Sequence, residues 1–278
     1  MKTLKQVNLL IEKRGNELYE KSKNFDRIEI NFKRYTAILG KMEEISKHED
    51  FLIIPVLKSG VFTLKYPEYS VNILFDAELL EDEVLVKADS YIVSEHETKK
   101  EWLYSCDFYL SYRVKKEDSY YMDNYRDSVT EIFQKQGRKE KELLDHLEAA
   151  AKSEMLKSFL GFVNVNGWLN YLMEHPEEKE ISKKITEKSE SGAETKPAKD
   201  SESKGQKETK EHVVRLNGVR ITTSNNKAVN KIKSRKVTRI MECWSVRGHF
   251  RHYKNGKVVY VHPYEKGNGR KTPKKYNV

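Results

Sequence analysis

Only two cysteines, Cys106 and Cys243, occur among 278 residues. That excludes a disulfide framework and predicts a reducing, cytoplasmic compartment. Long hydrophobic runs are also missing. No stretch reaches the roughly eighteen apolar residues of a transmembrane helix, so no membrane partner is expected. The opening Met1, Lys2, Thr3, Leu4, Lys5, Gln6 leads into charged residues and not into an apolar h-region, which argues against a secretory signal. Apolar residues are scarce, at 37%. Yet 10% aromatics and several dense apolar stretches suffice for a core, which excludes wholesale disorder. The catalytic signatures are absent too: no glycine-rich phosphate loop, no HExxH, no CxxC and no GxSxG. No cofactor and no metal site is expected.

What is present is charge, unevenly spread. The balance of 52 Lys and Arg against 43 Asp and Glu gives +9 overall. Residues 212–278 hold 17 Lys and Arg and two acids, Glu242 and Glu265, a surplus of +15. Residues 177–211 come to −1 and residues 1–176 to −5. An acidic body joined to a strongly basic tail predicts that the tail meets a polyanion while the body does something else. The intervening 177–211, without an aromatic residue and with only Ile181 and Ile185 as β-branched aliphatics, is expected to be a disordered charged linker.

The body, 1–176, reads as α+β, an antiparallel sheet flanked by helices. Leu4, Val7, Leu10, Ile11 and Leu18 predict a helix over 3–22, and Tyr35, Ile38, Leu39, Met42 and Ile45 a second. Strands are expected at 51–57, 61–65, 70–75, 84–93 and 102–114. In the last, Trp102, Tyr104, Cys106, Phe108, Leu110, Tyr112 and Val114 alternate onto one face. Cys106 is therefore expected in the core and not as a nucleophile. After Asp123 the helical period returns and runs to His175 and Pro176. His48, His96, His146 and His175 stand singly among charges, and the acidic stretch 78–83 reads as a solvated turn. Tyr120, Tyr121 and Trp168 suit either an interface or the core.

The tail, 212–278, predicts a small basic all-β module. Asn217 with Gly218 and Asn255 with Gly256 are hairpin signals. A two-residue turn at Asn255 and Gly256 sets Lys254 opposite Lys257, Arg251 opposite Tyr260, His249 opposite His262 and Arg247 opposite Tyr264. One face then holds Trp244, Val246, Phe250, His252, Val259 and Val261. The other gathers Arg247, His249, Arg251, Tyr253, Tyr260, His262 and Tyr264, flanked by Lys254, Lys257, Lys266 and Arg270. Arginine forks suit phosphates and tyrosine faces suit bases, so this face is the expected nucleic-acid site, with DNA and RNA both open. A second reading is enzymatic. His249 and His262 side by side, with Arg251 against the developing charge, would serve a metal-independent ribonuclease. The basic segment 227–239 reads as an additional arm.

Trp244, Val246, Arg247, Gly248, His249, Phe250 and Arg251, then Gly256, Lys257, Val259, Tyr260 and Val261, then Pro263, Tyr264, Lys266 and Gly267, form a pattern of their own. It resembles a C-terminal module of uncharacterised bacteriophage, prophage and other mobile-element proteins of Gram-positive bacteria, W-x-V-R-G-H-[WF]-R, a short turn, G-K-x-[VI]-[WY]-[VI], then P-Y-x-K-G. Phe250 and Tyr260 stand where tryptophan is common. The resemblance covers about the last 35 residues. It implies a phage-type accessory or regulatory protein in the cytoplasm, acting on host or phage nucleic acid or on a defence system, and it carries no activity over. Within it the body 1–176 would contact a host or phage protein or drive oligomerisation. An inhibitor of a host defence factor is the third reading.

Overall fold

In the computed structural model, which describes residues 4–94, 96, 98–113, 120–135, 141–175, 213–215 and 242–278, the N-terminal stripe forms α1 (Leu4–Ser22). A short strand follows, β1 (Arg27–Asn31), whose Ile28 and Ile30 alternate with charged residues. Asn31 ends it and caps α2 (Phe32–Ile45), its side-chain oxygen accepting the Arg34 N–H at 2.8 Å. Five strands then run back and forth: β2 (Ser59–Lys65), β3 (Tyr69–Leu79), β4 (Glu83–Ser94), β5 (Lys100–Ser111) and β6 (Tyr120–Asp127). Two helices complete the body, α3 (Ser128–Lys135) and α4 (Lys141–Glu174).

One eight-stranded sheet organises all of this, in the order β6-β5-β4-β3-β2-β1 and then two strands of the tail, β12 (Lys275–Asn277) and β7 (Val213–Arg215). From β2 to β6 every pairing is antiparallel, as the short connections require. The acidic stretch 78–83 is the β3–β4 turn, with the Leu80 N–H donating to the Glu83 carbonyl at 2.8 Å. β1 is parallel to β2, with α2 in the crossover. Helices α2 and α4 cover one sheet face, where Phe62, Phe75 and Phe108 meet Phe159, Phe162 and Trp168 in the main core. Helix α1 covers part of the other, where Val7, Ile11 and Leu18 meet Val61, Leu74, Tyr91 and Trp102. No helix among the described residues is long and apolar enough to cross a membrane.

Three expectations are corrected. The run 51–57 is no strand: beyond one isolated bridge at Leu52 it is irregular and buried. Three of its backbone groups are satisfied by two buried asparagines of α4. Asn166 accepts the Val56 N–H at 2.9 Å, and Asn170 donates to the carbonyls of Leu52 and Ile54 at 3.1 and 2.8 Å. Trp102 does not share a face with Tyr104. A β-bulge sets Tyr104 against Ser90 and Trp102 against Tyr91, with Leu103 as the extra residue, and turns Trp102 toward α1. Strand β6 persists to Asp127, which then caps α3 by accepting the Thr130 N–H at 2.7 Å. Of the two places open to Trp168, it takes the main core. Cys106 is buried there as expected, and burial pushes its thiol up to about 12.

The tail is built from β7 (Val213–Arg215), β8 (Trp244–Val246), β9 (His249–His252), β10 (Val258–Val261), β11 (Tyr264–Lys266) and β12 (Lys275–Asn277). Its end does not stand apart from the body. β12 lies between β1 and β7, parallel to both, with Tyr276 level with Ile28 and buried in the main core. The separate module expected at 212–278 is, over 242–278, packed onto the body's own sheet. The linker 177–211, the remainder of the hairpin expected around Asn217 and Gly218, and the arm 227–239 lie outside the described residues.

Candidate nucleic-acid interface

The C-terminal hairpin turns on three residues, Lys254, Asn255 and Gly256, and not on two. The Gly256 N–H donates to the Tyr253 carbonyl at 3.0 Å and the Tyr253 N–H to the Lys257 carbonyl at 2.8 Å. Gly256 has φ +79°, and the Asn255 side chain accepts the Lys257 N–H at 3.1 Å. This is a type I turn closed by a glycine in the left-handed region, the G1-bulge form of an Asn-Gly hairpin. Nothing stands near the position a Cβ would take at Gly256, so backbone strain alone decides its replacement. Gly256→Ala is expected to cost about 1–2 kcal/mol, and Gly256→Asn less. Thermal unfolding and amide exchange across β9 and β10 measure that order.

One extra turn residue moves every pair. Val258 faces His252, Val259 faces Arg251, Tyr260 faces Phe250 and Val261 faces His249. The same offset continues into the second ribbon, where Tyr264 faces Val246 and Lys266 faces Trp244. A one-residue slip in register exchanges the faces of one strand relative to the other. His249 therefore shares its side with Val261 and Arg251 with Val259, while Tyr260 turns the opposite way beside Phe250. The histidine pair is separated. His249 sits on one side with Nδ1 at 3.1 Å from the Arg247 carbonyl, and His262 lies beyond Tyr260 on the other, its ring edge-on to Tyr260 at 5.3 Å. The two-histidine arrangement needed for acid–base cleavage is not formed, because its register rested on a two-residue turn.

Phe250 and Tyr260 explain what holds the hairpin. Their rings lie 5.0 Å apart and both pack against the main core. Buried Gly248 abuts the Tyr260 hydroxyl, which leaves no room for a Cβ there, and its N–H donates to the Val56 carbonyl at 3.2 Å. Burial pushes the Tyr260 hydroxyl up, with Glu174 adding to it. Tyr260 is thus a core anchor and not a stacking surface.

The other side faces solvent. Arg251, Tyr253, Lys254 and Lys257 are exposed, and the Arg251 guanidinium lies 5.1 Å from the Tyr253 ring centroid. Arg247 is exposed just before β9. His262, Tyr264, Lys266 and Arg270 are exposed as well, but the first two belong with Tyr260's parity, and the Lys266 ammonium lies 5.9 Å from the centre of the Trp244 ring. Of the expected face, Arg247, His249, Arg251, Tyr253, Lys254 and Lys257 stay together. Tyr260, His262 and Tyr264 leave it.

The sequence did not single out a second polar cluster, on the sheet face that α1 leaves uncovered. Arg27 of β1 donates from Nη1 to Thr63 Oγ1 at 2.6 Å and to Asn72 Oδ1 at 2.8 Å, and from Nη2 to Ser22 Oγ at 3.4 Å. Two residues on, Glu29 is held by Lys65 and by Lys275 of β12, the latter at 3.0 Å. Burial raises the Glu29 carboxyl, but hydrogen bonds from those two lysines outweigh it and hold it below its ordinary value. The available signal was the alternation of Arg27, Glu29 and Asn31 with Ile28 and Ile30, which marks a strand with one charged face. Comparison with protein families, with curated proteins and with solved structures found nothing that matches this chain.

Proposed function

We propose that this chain binds nucleic acid through the solvent side of the C-terminal hairpin, as an accessory protein without chemistry of its own. One observation carries the reading. From Cys243 to Tyr264 the chain contains no acidic residue, and its exposed side presents Arg247, Arg251, Lys254 and Lys257 beside the Tyr253 ring. Arginine and lysine supply phosphate contacts, and the tyrosine supplies a face for a base. Phe250 and Tyr260 fix the ribbon to the core, so the cations stand on a rigid support and less ordering entropy is lost on binding. The acidic body serves as that support and as the surface for a protein partner.

Replacing Arg247 and Arg251 together by alanine tests this. With labelled duplex DNA in fluorescence anisotropy, the double variant is expected to bind more weakly. Its plot of log affinity against log salt should be flatter by up to about 1.8, two phosphate contacts at roughly 0.9 each. With single strands the corresponding loss is about 1.4. An unchanged slope with unchanged affinity removes the hairpin as the interface.

A further inference from the structure

We infer that the open sheet face over β12, β1 and β2 is a separate binding site for a phosphate group, centred on Arg27. A half-buried guanidinium in a folded protein ordinarily has a carboxylate partner, because its desolvation otherwise goes uncompensated. Among the described residues none lies within ion-pair distance of Arg27. Its recorded partners, Thr63, Asn72 and Ser22, are all neutral. The carboxylate two residues away, Glu29, is engaged by Lys65 and Lys275.

These neutral contacts fix the guanidinium without discharging it. Asn72 Oδ1 also accepts the Thr63 hydroxyl at 2.8 Å, and the Tyr91 hydroxyl donates to Ser22 Oγ at 2.8 Å, so each acceptor is itself held. Three of the five guanidinium donors are spent in this way, which leaves Nε–H and one Nη2–H. Two parallel N–H groups on a fixed plane are the fork that captures a phosphate or carboxylate oxyanion.

The surroundings favour phosphate. A groove of about 390 Å³ opens beside Arg27, and Lys23, Lys65, Lys274 and Lys275 line it against the single carboxylate of Glu29. Glu20 also pairs with Lys23, but among the described residues the Lys274 ammonium has no acidic partner. Tyr19, Phe25 and Pro273 supply the apolar wall. A groove of that size admits a nucleotide or the end of a strand and not a duplex. Arg27 and Lys274 also bracket the junction with the tail, the Arg27 N–H donating to the Lys274 carbonyl at 2.7 Å, so the site exists only with β12 in place.

Calorimetry on the full chain tests the site with pyrophosphate, a nucleoside monophosphate, a 5′-phosphorylated dinucleotide and the same dinucleotide without its phosphate. The three phosphate-terminated probes should bind, and the unphosphorylated dinucleotide should bind at least several-fold more weakly. A monophosphate equal to the dinucleotide identifies a free nucleotide as the source, and a tighter dinucleotide identifies a strand end. Arg27→Gln should weaken binding roughly tenfold or more, the loss of a charged hydrogen-bond pair. Lys274→Gln, whose side chain has no ion-pair partner among the described residues, should weaken it several-fold with an unchanged unfolding temperature. The Arg247→Ala, Arg251→Ala protein should bind these probes normally, which separates this site from the hairpin. Equal binding of both dinucleotides, or undiminished binding by Lys274→Gln together with a folded Arg27→Gln, overturns the assignment.

Discussion

Removal of residues 275–278 is expected to lower the unfolding temperature by roughly 10 °C, with no residue of 1–176 altered. β12 is a short strand, but it is flanked on both sides, by β1 and by β7. Its loss strips a parallel ladder from β1 and exposes that edge to water. Tyr276 leaves the main core, where burial has pushed its hydroxyl up to about 12, with Asp26 adding to the effect and Arg247 opposing it. Emptying a buried aromatic site costs about 3–5 kcal/mol. Glu29 loses Lys275, and its carbonyl loses the Val278 N–H at 3.0 Å. At about 2–4 °C per kcal/mol for chains of this size, the aromatic term alone accounts for the expected shift. Tyr276→Ala should reproduce most of it. Calorimetry of the two variants measures this, and an unchanged transition in both means that the tail does not share the body's sheet.

Much of the body was legible because its signals are local. Val7, Ile11 and Leu18 recur at helical spacing, and Cys106, Phe108 and Leu110 alternate at strand spacing, so periodicity alone locates α1 and β5. The largest departure from that reading was decided by distant residues. The run 51–57 carries enough apolar residues for a strand, but Asn166 and Asn170, more than a hundred positions away, take its backbone hydrogen bonds. The three-residue β12 offers no pattern of its own. Its place follows from β1 needing a partner on its open edge.

At the hairpin the sequence identified the turn but not its length. An Asn-Gly pair serves both a two-residue turn with two positive φ angles and a three-residue turn with glycine as the bulge. The difference is one residue, and it decides whether His249 and His262 share a face. The second signal was the pair of aromatics. Phe250 and Tyr260 can be opposite each other only in the observed register, and burying both on one side outweighs anything gained by exposing Tyr260 with the arginines. The cationic face was therefore partly legible: its Arg251, Tyr253, Lys254 and Lys257 lie on β9 or in the turn and hardly depend on the partner strand. The Arg27 site was not, because Ser22, Thr63, Asn72 and Lys275 come together only when four separate elements assemble.

Asp26→Ala is expected to destabilise the chain by about 2–3 kcal/mol, and Asp26→Asn by clearly less. Asp26 is only 1% exposed and joins body to tail through two different interactions. Its Oδ1 accepts the Lys274 N–H at 2.7 Å, and its Oδ2 lies 3.7 Å from the Lys271 ammonium. Alanine removes both and leaves a backbone N–H without its acceptor beside the entry to β12. Asparagine keeps an oxygen for that N–H and gives up only the charge. The charge is the smaller part, because the ion pair is long and Lys271 has a closer partner in Glu265 at 2.6 Å. The expected order of stability is wild type, then Asn, then Ala. In hydrogen exchange the Asp26→Ala protein should lose protection first at β12 and at the β1 amides facing it, while β3, β4 and β5 stay protected. Equal losses for Asn and Ala would assign the clamp to the Asp26–Lys271 charge pair, and raised exchange throughout the sheet would mean that Asp26 supports the whole core and not the seating of the tail.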